Sequence, residues 1–299
     1  MALHVIVGAG PVGSATARLL AEAGERVRLL SRRGGGPEHA GIERVAADAT
    51  ADLDRHAEGA VALYSCAGPA YHRWPAEWPP LGASLVSAAE ATGAVLVTTG
   101  NLYGYGQVDV PMTEDLPLRP NSVKGQVRAS LWAAQRAAHE AGVIRTAEVR
   151  GSDYLGAGAL SPFSALVLAK VVTGRRASIP ADLDAPHSWT YVGDVAETLI
   201  AVAADPSAWG RPWHVPTAPP MSVRALATRT AELAAVSGVR LTKMPGFALR
   251  LAGLLNPTAR EMLEVQYQFQ RPFVLDSSAA EDAFGIKPTP TDDALREML

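Results

Sequence analysis

Residues 3–7 alternate and then run apolar, and they end in Gly8-Ala9-Gly10-Pro11-Val12-Gly13. Val12, Ala15, Leu19, Leu20 and Ala23 follow at three- and four-residue spacings, the period of a helix with one apolar face. A strand, a glycine turn and a helix in that order narrow the fold sharply, because Gly-x-Gly-x-x-Gly carries weight only in this context. Gly8 would allow the tight turn, Gly10 would let the backbone approach a pyrophosphate, and Gly13 would let helix and strand pack closely. Pro11 and Val12 open the helix, whose first N–H groups lack intrahelical partners and would face the phosphates. The plainer alternative is a turn that needs glycines only for its own geometry; motif and context together favour a bound dinucleotide.

Further strand signals fall at 26–30, 42–46, 60–64, 94–98 and 143–149, with helical patterns at 50–56, 80–92 and 122–141. This alternation predicts an α/β fold, a Rossmann-type doubly wound parallel sheet over residues 1–153. Beyond Arg150 the alternation weakens into helices at 161–172, 192–203, 222–237, 246–254, 258–268 and 291–298, with short strands at 177–179, 187–191 and 211–215. Residues 154–299 are therefore expected to form a smaller, mixed C-terminal substrate lobe, with 187–204 packing back onto the sheet. A net charge of −3 without a basic run argues against nucleic acid as a partner. Cys66 is the only cysteine, which excludes an internal disulfide framework and fits a reducing compartment. No signal peptide is visible, and the longest apolar stretch, 165–172, is interrupted by Lys170 and too short to span a bilayer. A cytoplasmic protein without a membrane partner, monomeric or homodimeric, is expected.

The residue that reads the adenosine ribose is expected about 20 residues past the glycine turn, at the end of the second strand. An acidic residue there would favour NAD; this chain has Ser31, Arg32 and Arg33. Two guanidiniums and a hydroxyl suit a 2′-phosphate, so NADP is expected, against the alternative of solvated loop charges. Asp48, two residues past the third strand, is placed either to cap the next helix or to touch the adenine edge.

Several stretches resemble the extended short-chain dehydrogenase/reductase family, which includes NAD-dependent sugar epimerases and dehydratases. Cys66-Ala67-Gly68 stands where members carry a small-residue strand end against the nicotinamide ribose, and 98–104, Thr-Thr-Gly-Asn-Leu-Tyr-Gly, is similar to their Ser-Ser-x-x-Val-Tyr-Gly. Residues 190–196, Thr-Tyr-Val-Gly-Asp-Val-Ala, look like Val-His-Val-x-Asp-Val-Ala, and 276–285 with Pro288 looks like the C-terminal signature. The resemblance implies a catalytic Ser or Thr, here Thr99, and a Tyr-x-x-x-Lys pair whose lysine is Lys124, which would also bind the cofactor ribose. The tyrosine position is then Pro120, which cannot transfer a proton. A variant branch shows a similar Lys-Gly-x-x-Arg pattern without the tyrosine, here Lys124-Gly125-Gln126-Val127-Arg128. Tyr103, Tyr105 and Tyr154 are candidate replacements, phenols whose pKa a nearby Lys124 would lower, with Tyr103 preferred, against the commoner alternative that each only packs.

On the substrate side, 68–79 reads as a proline-stiffened loop at a strand's carboxyl end. Tyr71, Trp74 and Trp78 would make a wall, Arg73 would meet an anion and His72 would serve as a general acid. The alternative is a self-packed surface loop. His187 is expected to return to the crevice, or to be a satisfied structural histidine. No His, Cys and carboxylate spacing suggests a metal site. Three functions remain open at this point: an NADP-dependent oxidoreductase acting on a small organic carbonyl or alcohol, a redox-neutral epimerase or dehydratase, and a non-catalytic NADP sensor.

Overall fold

Apolar runs with Val, Ile and Leu on successive residues can only be strands covered on both faces, and they pair here into one parallel sheet. The computed structural model describes residues 1–255 and 257–299. The strands are β1 (Leu3–Val7), β2 (Arg26–Ser31), β3 (Ile42–Ala46), β4 (Ala60–Ser65), β5 (Val95–Asn101), β6 (Thr146–Gly151), β7 (Asp153–Leu155), β8 (Ala177–Ile179), β9 (Trp189–Tyr191), β10 (Pro212–His214) and β11 (Leu241–Lys243). Seven of them form the main sheet in the order β10-β6-β5-β4-β1-β2-β3, while β7 pairs with β9 and β8 with β11. The strand order reverses between β1 and β4, which opens a crevice at their carboxyl ends. This is the doubly wound architecture expected from the alternation. The strand near residue 213, expected in the second lobe, instead extends the main sheet beside β6.

The helices are α1 (Pro11–Glu22), α2 (Leu53–His56), α3 (Trp74–Thr92), α4 (Val123–Glu140), α5 (Ala169–Val172), α6 (Val192–Ala204), α7 (Val223–Leu233), α8 (Gly246–Leu255), α9 (Pro257–Glu264), α10 (Ser278–Phe284) and α11 (Thr291–Arg296). Successive strand residues feed opposite cores. Ile6, Leu29, Tyr64 and Val97 pack against α1 and α6, whereas Val5, Val7, Leu63 and Leu96 pack against α3 and, at its edge, α4. A third core, with Phe163, Ile179, Trp189, Leu226 and Leu295, belongs to the later elements. The segment 74–79, expected as loop, is the first turns of α3. Pro75 sits in the opening turn, where a missing N–H costs nothing, and a 3₁₀ turn at Tyr71–Arg73 leads in.

The turn between β1 and α1 has no spare room. Gly8 has φ +108°, and a Cβ there would lie 2.5 Å from the Ala67 nitrogen. A Cβ on Gly13 would lie 1.9 Å from the Gly8 carbonyl oxygen, whereas one on Gly10 would meet nothing within 4 Å. Two glycines thus serve packing, and the third faces open space.

Asp194, in the first turn of α6, ties the end of the chain to this frame by accepting from Thr289 N at 2.9 Å and Thr289 Oγ1 at 2.6 Å. Burial pushes its carboxyl up to about 6, although both Thr289 bonds pull the other way. Between about pH 4 and 6 the folded chain therefore keeps a proton that the unfolded chain has released, so stability falls as pH rises through that window. Asp194→Asn, uncharged and still able to accept from Thr289, removes this dependence. Urea unfolding is expected to show wild type losing roughly 1–3 kcal/mol relative to the variant between about pH 4 and pH 7; a constant difference contradicts the assignment.

Candidate active site

Two joined spaces lie beyond the carboxyl ends of the strands. The larger, a cleft of about 920 Å³, runs from Gly8 and Gly10 past Ser31, Arg32 and Arg33 to Asp48. Arg32 and Arg33 are exposed and, among the described residues, make no ion pair, while Ser31 Oγ donates to the Gly35 carbonyl oxygen at 3.3 Å. Asp48 does not cap α2. Its carboxylate accepts from Thr50 N at 2.9 Å and Thr50 Oγ1 at 2.8 Å, which closes a turn before the helix and holds its carboxyl below the usual range. The N-terminus of α1, with Pro11 at its first position, points its unpaired N–H groups toward this cleft.

At Cys66, Ala67 and Gly68 the cleft meets a smaller pocket of about 220 Å³. Val12, Thr99, Tyr103 and Tyr154 line it, as do Tyr71, Trp74 and Trp78. Burial pushes the Cys66 thiol up to about 12, so it is a small apolar surface at neutral pH. Thr99 Oγ1 donates to the Ser65 carbonyl oxygen, which fixes the hydroxyl's direction and leaves its lone pairs to accept. Tyr71 stacks on Trp74 with ring centroids 4.9 Å apart, and Trp78 meets Trp74 edge-on at 6.1 Å. Trp74 Nε1 donates to the Pro69 carbonyl oxygen at 2.9 Å, so the wall is braced by its own segment. His72 stands outside the wall: the 3₁₀ turn that carries Tyr71 inward leaves His72 exposed. Arg73 is paired to Glu77 at 2.8 Å.

The phenols are less acidic than free tyrosine, not more. Tyr103 and Tyr71 share a hydrogen bond at 2.7 Å, and burial is the largest influence on both. Tyr71 is pushed up to about 12, Tyr103 lies well above its ordinary value, and burial raises Tyr154 as well. The expected lowering by Lys124 is absent for a geometric reason. Its ammonium, 1% exposed, is held by Glu261 and, at 2.8 Å, by Glu264 of α9, and Glu264 also accepts from the Lys124 backbone N–H at 2.9 Å. The Tyr71 ring lies 5.5 Å from that ammonium, which does not line the pocket. Pro120 lies on the approach to α4 and is not part of the wall.

The cation that does reach the wall is Arg128, one turn further along α4. It donates to the Thr99 carbonyl oxygen, lies over the Trp78 ring at 4.7 Å and faces Glu148 at 3.5 Å. Three further polar side chains enter the pocket that the motif search left out as site residues: Asn101, Ser152 and Asp153. Gln268 arrives from the distant segment after α9. Asn101 ends β5, Ser152 lies between β6 and β7, and Asp153 opens β7, so none of these three carries a turn or helical signal of its own. Asp153 carries His187 behind it, Nε2 to Oδ2 at 2.9 Å, and His187 itself is buried without lining the pocket. No group of three or more His, Cys, Asp and Glu side chains is arranged around a metal position among the described residues.

The site fits a nicotinamide dinucleotide on its own geometry. The Gly10 Cβ position is open, and buried Ser152 Oγ, Gln268 Oε1 and Arg128 Nε have no partner among the described residues, so a ligand rich in hydroxyl and amide groups would satisfy them. Known proteins agree with this geometry. No curated protein sequence matches the chain. Its fold is similar to UDP-N-acetylglucosamine 4-epimerase from Methanobrevibacter ruminantium M1, with TM-score 0.80 and 15% identity over 99% of this chain and 96% of that one. It is similar also to UDP-glucuronic acid 4-epimerase from Bacillus cereus in complex with UDP-glucuronic acid and NAD, with TM-score 0.81 and 14% identity over 99% and 97%. dTDP-glucose 4,6-dehydratase from Bacillus anthracis str. Ames, in complex with NAD, gives TM-score 0.79 and 14% identity over 100% and 95%. The model of the NAD dependent epimerase/dehydratase family matches residues 4–215, from the first strand of the sheet to just past its last, and the chain belongs to that family.

Proposed function

We propose that the chain binds NADP in the long cleft and uses it for redox-neutral chemistry at a hydroxyl-bearing carbon, as an epimerase or dehydratase. One observation carries this reading: the dinucleotide cleft opens at Cys66, Ala67 and Gly68 into a pocket lined by Thr99, Tyr154, Asp153 and Arg128. A nicotinamide ring lying there would supply hydride acceptance and donation beside groups able to hold a substrate oxygen. Gly8, Gly10, Val12 and Gly13 would carry the pyrophosphate on the helix end, and Arg128, not Lys124, is the cation placed to meet the ribose. The aromatic wall would exclude water while the substrate is oxidised, and release would await hydride return.

Net reduction of a small carbonyl by NADPH is the second reading. Both readings take NADP, because the end of β2 offers a 2′-phosphate two guanidiniums that are unpaired among the described residues, and no carboxylate. Two of the solved neighbours named above, the UDP-glucuronic acid 4-epimerase and the dTDP-glucose 4,6-dehydratase, are in complex with NAD, so cofactor choice is a direct test. Replacing both arginines by Ala is expected to weaken NADP binding about 10–100-fold and NAD binding less than about 3-fold, measured by calorimetry. Equal losses for the two cofactors overturn the NADP assignment.

Incubation with NADP and UDP- or dTDP-linked hexoses is expected to change the sugar's stereochemistry or eliminate water, with no net change in nicotinamide absorbance. Loss of NADPH absorbance with simple aldehydes or ketones would establish the reductase reading instead. Tight NADP binding without turnover in either assay would leave a sensor and overturn both.

A further inference from the structure

Asp153 and His187 are 34 residues apart, and the fold builds a dedicated support for their contact. Asp153 opens β7, which pairs in parallel with β9 so that Asp153 lies opposite Trp189, two residues past His187. The His187 backbone is bridged on one side to Met221 and on the other to Phe273. Its ring is stacked between Phe269 at 4.6 Å and Phe273 at 5.4 Å, with Trp189 tilted against it at 4.6 Å. A ring so enclosed has one orientation. Nδ1 faces the Gln268 carbonyl oxygen at 3.2 Å, and Nε2 faces Asp153 Oδ2 at 2.9 Å.

A backbone carbonyl oxygen only accepts, so Nδ1 carries a proton whatever the charge of the ring. The bond from Nε2 to Oδ2 then holds one further proton, on the ring as imidazolium facing carboxylate or on the acid facing neutral imidazole. Either way the pair is neutral overall, which makes its burial tolerable. Asp153 Oδ1 has no protein partner among the described residues, and Asp153 lines the small pocket beside Tyr71, Tyr103 and Tyr154.

We propose that Asp153, backed by His187, is the acid–base group of this pocket, taking and returning one proton at Oδ1 for a substrate oxygen at the nicotinamide end. The proposal rests on the nicotinamide-dependent reading given above and names the group that handles its proton. In the oxidising direction the substrate hydroxyl's proton passes to Asp153 Oδ1 while the bridging proton stays on His187 facing Oδ2, the O–H bond breaking as C=O forms. The hydrogen on the same carbon leaves with its electron pair to the oxidised nicotinamide. In the return direction that hydride comes back to carbon while the stored proton goes from Asp153 to oxygen, so atoms and charge balance over the cycle. His187 touches no substrate; it is a positioning residue that keeps the proton available through Asp153.

The first test needs no substrate. In the unsubstituted protein, ¹⁵N shifts of the His187 ring at neutral pH are expected to show Nδ1 protonated and Nε2 bearing a proton shared with an acceptor. In Asp153→Asn, Nε2 is expected to become a bare acceptor. An unprotonated Nδ1, or an Nε2 unchanged by the substitution, overturns the pair. The second test uses NADP and whichever nucleotide-linked hexose is turned over: Asp153→Asn and His187→Gln are expected to lower kcat at least 100-fold, with KM and NADP affinity within about 3-fold. Full turnover in Asp153→Asn, with the protein folded by circular dichroism, overturns the catalytic role. A chain that turns over no substrate fails the functional reading alone, and the nitrogen shifts still decide whether the proton is there.

Discussion

A Cβ on residue 13 would sit 1.9 Å from the carbonyl oxygen of Gly8, and one on residue 8 would sit 2.5 Å from the backbone of residue 67. Three backbone segments, the end of β1, the start of α1 and the end of β4, therefore meet without any side chain between them. That contact lies where the sheet order reverses, so it brings the helix end, the phosphate-facing N–H groups and the Cys66-Ala67-Gly68 strand end to one place. Cleft and pocket share those last three residues. A side chain at either glycine would push the helix off the sheet and separate the two spaces that the function needs joined.

The charges around the pocket follow a second constraint. Burying a cation requires a partner, and each cation near the pocket already has one. Lys124 is held by two glutamates, and Arg128 by the Thr99 carbonyl oxygen and Glu148. Glu148 also accepts from Arg150 Nε at 2.7 Å, and Arg150 in turn donates to the Tyr105 hydroxyl at 2.7 Å, which sits 2.7 Å from His214 Nε2. This buried chain forms a polar floor; Arg128 pulls the Tyr154 phenol down and Arg150 pulls Tyr105 down, yet burial outweighs both. With Tyr71, Tyr103 and Tyr154 all shifted upward by burial, the neutral pair of Asp153 and His187 is the remaining proton carrier beside the wall.

Local patterns in the chain were enough to find the glycine turn, six strands of the main sheet and the helices between them. Those features depend on neighbours in sequence: turn geometry, apolar alternation and helical period. The helix start at Trp74 was hidden because Pro75 and Pro79 read as loop and the helix was read from Pro80; Pro75 is at home in a first turn, whereas Pro79 and Pro80 sit inside the helix, where their missing N–H is unfavourable. Lys124 was legible as a first-turn lysine, and its neutralisation was not, because Glu264 lies 140 residues away. His187 was nominated on its type, while its role as support depends on a strand pairing that no local pattern announces.

Many of the polar contacts that set the pocket's chemistry cross from one half of the chain to the other. Glu261 and Glu264 act on Lys124, His187 on Asp153, and Gln268 enters beside Tyr103. The first half supplies the glycine turn and six of the seven strands of the main sheet; the second half adds β10, α6 and side chains that reach the pocket from far away. This division explains how chains only 14% and 15% identical keep TM-scores of 0.79 to 0.81 over nearly their full length. Backbone packing at the glycine turn requires only that residues 8 and 13 carry no side chain, whereas the pocket depends on contacts made from far away. Similarity of fold therefore transfers the cleft between relatives, and the reaction has to be read from the side chains that the later elements bring to it.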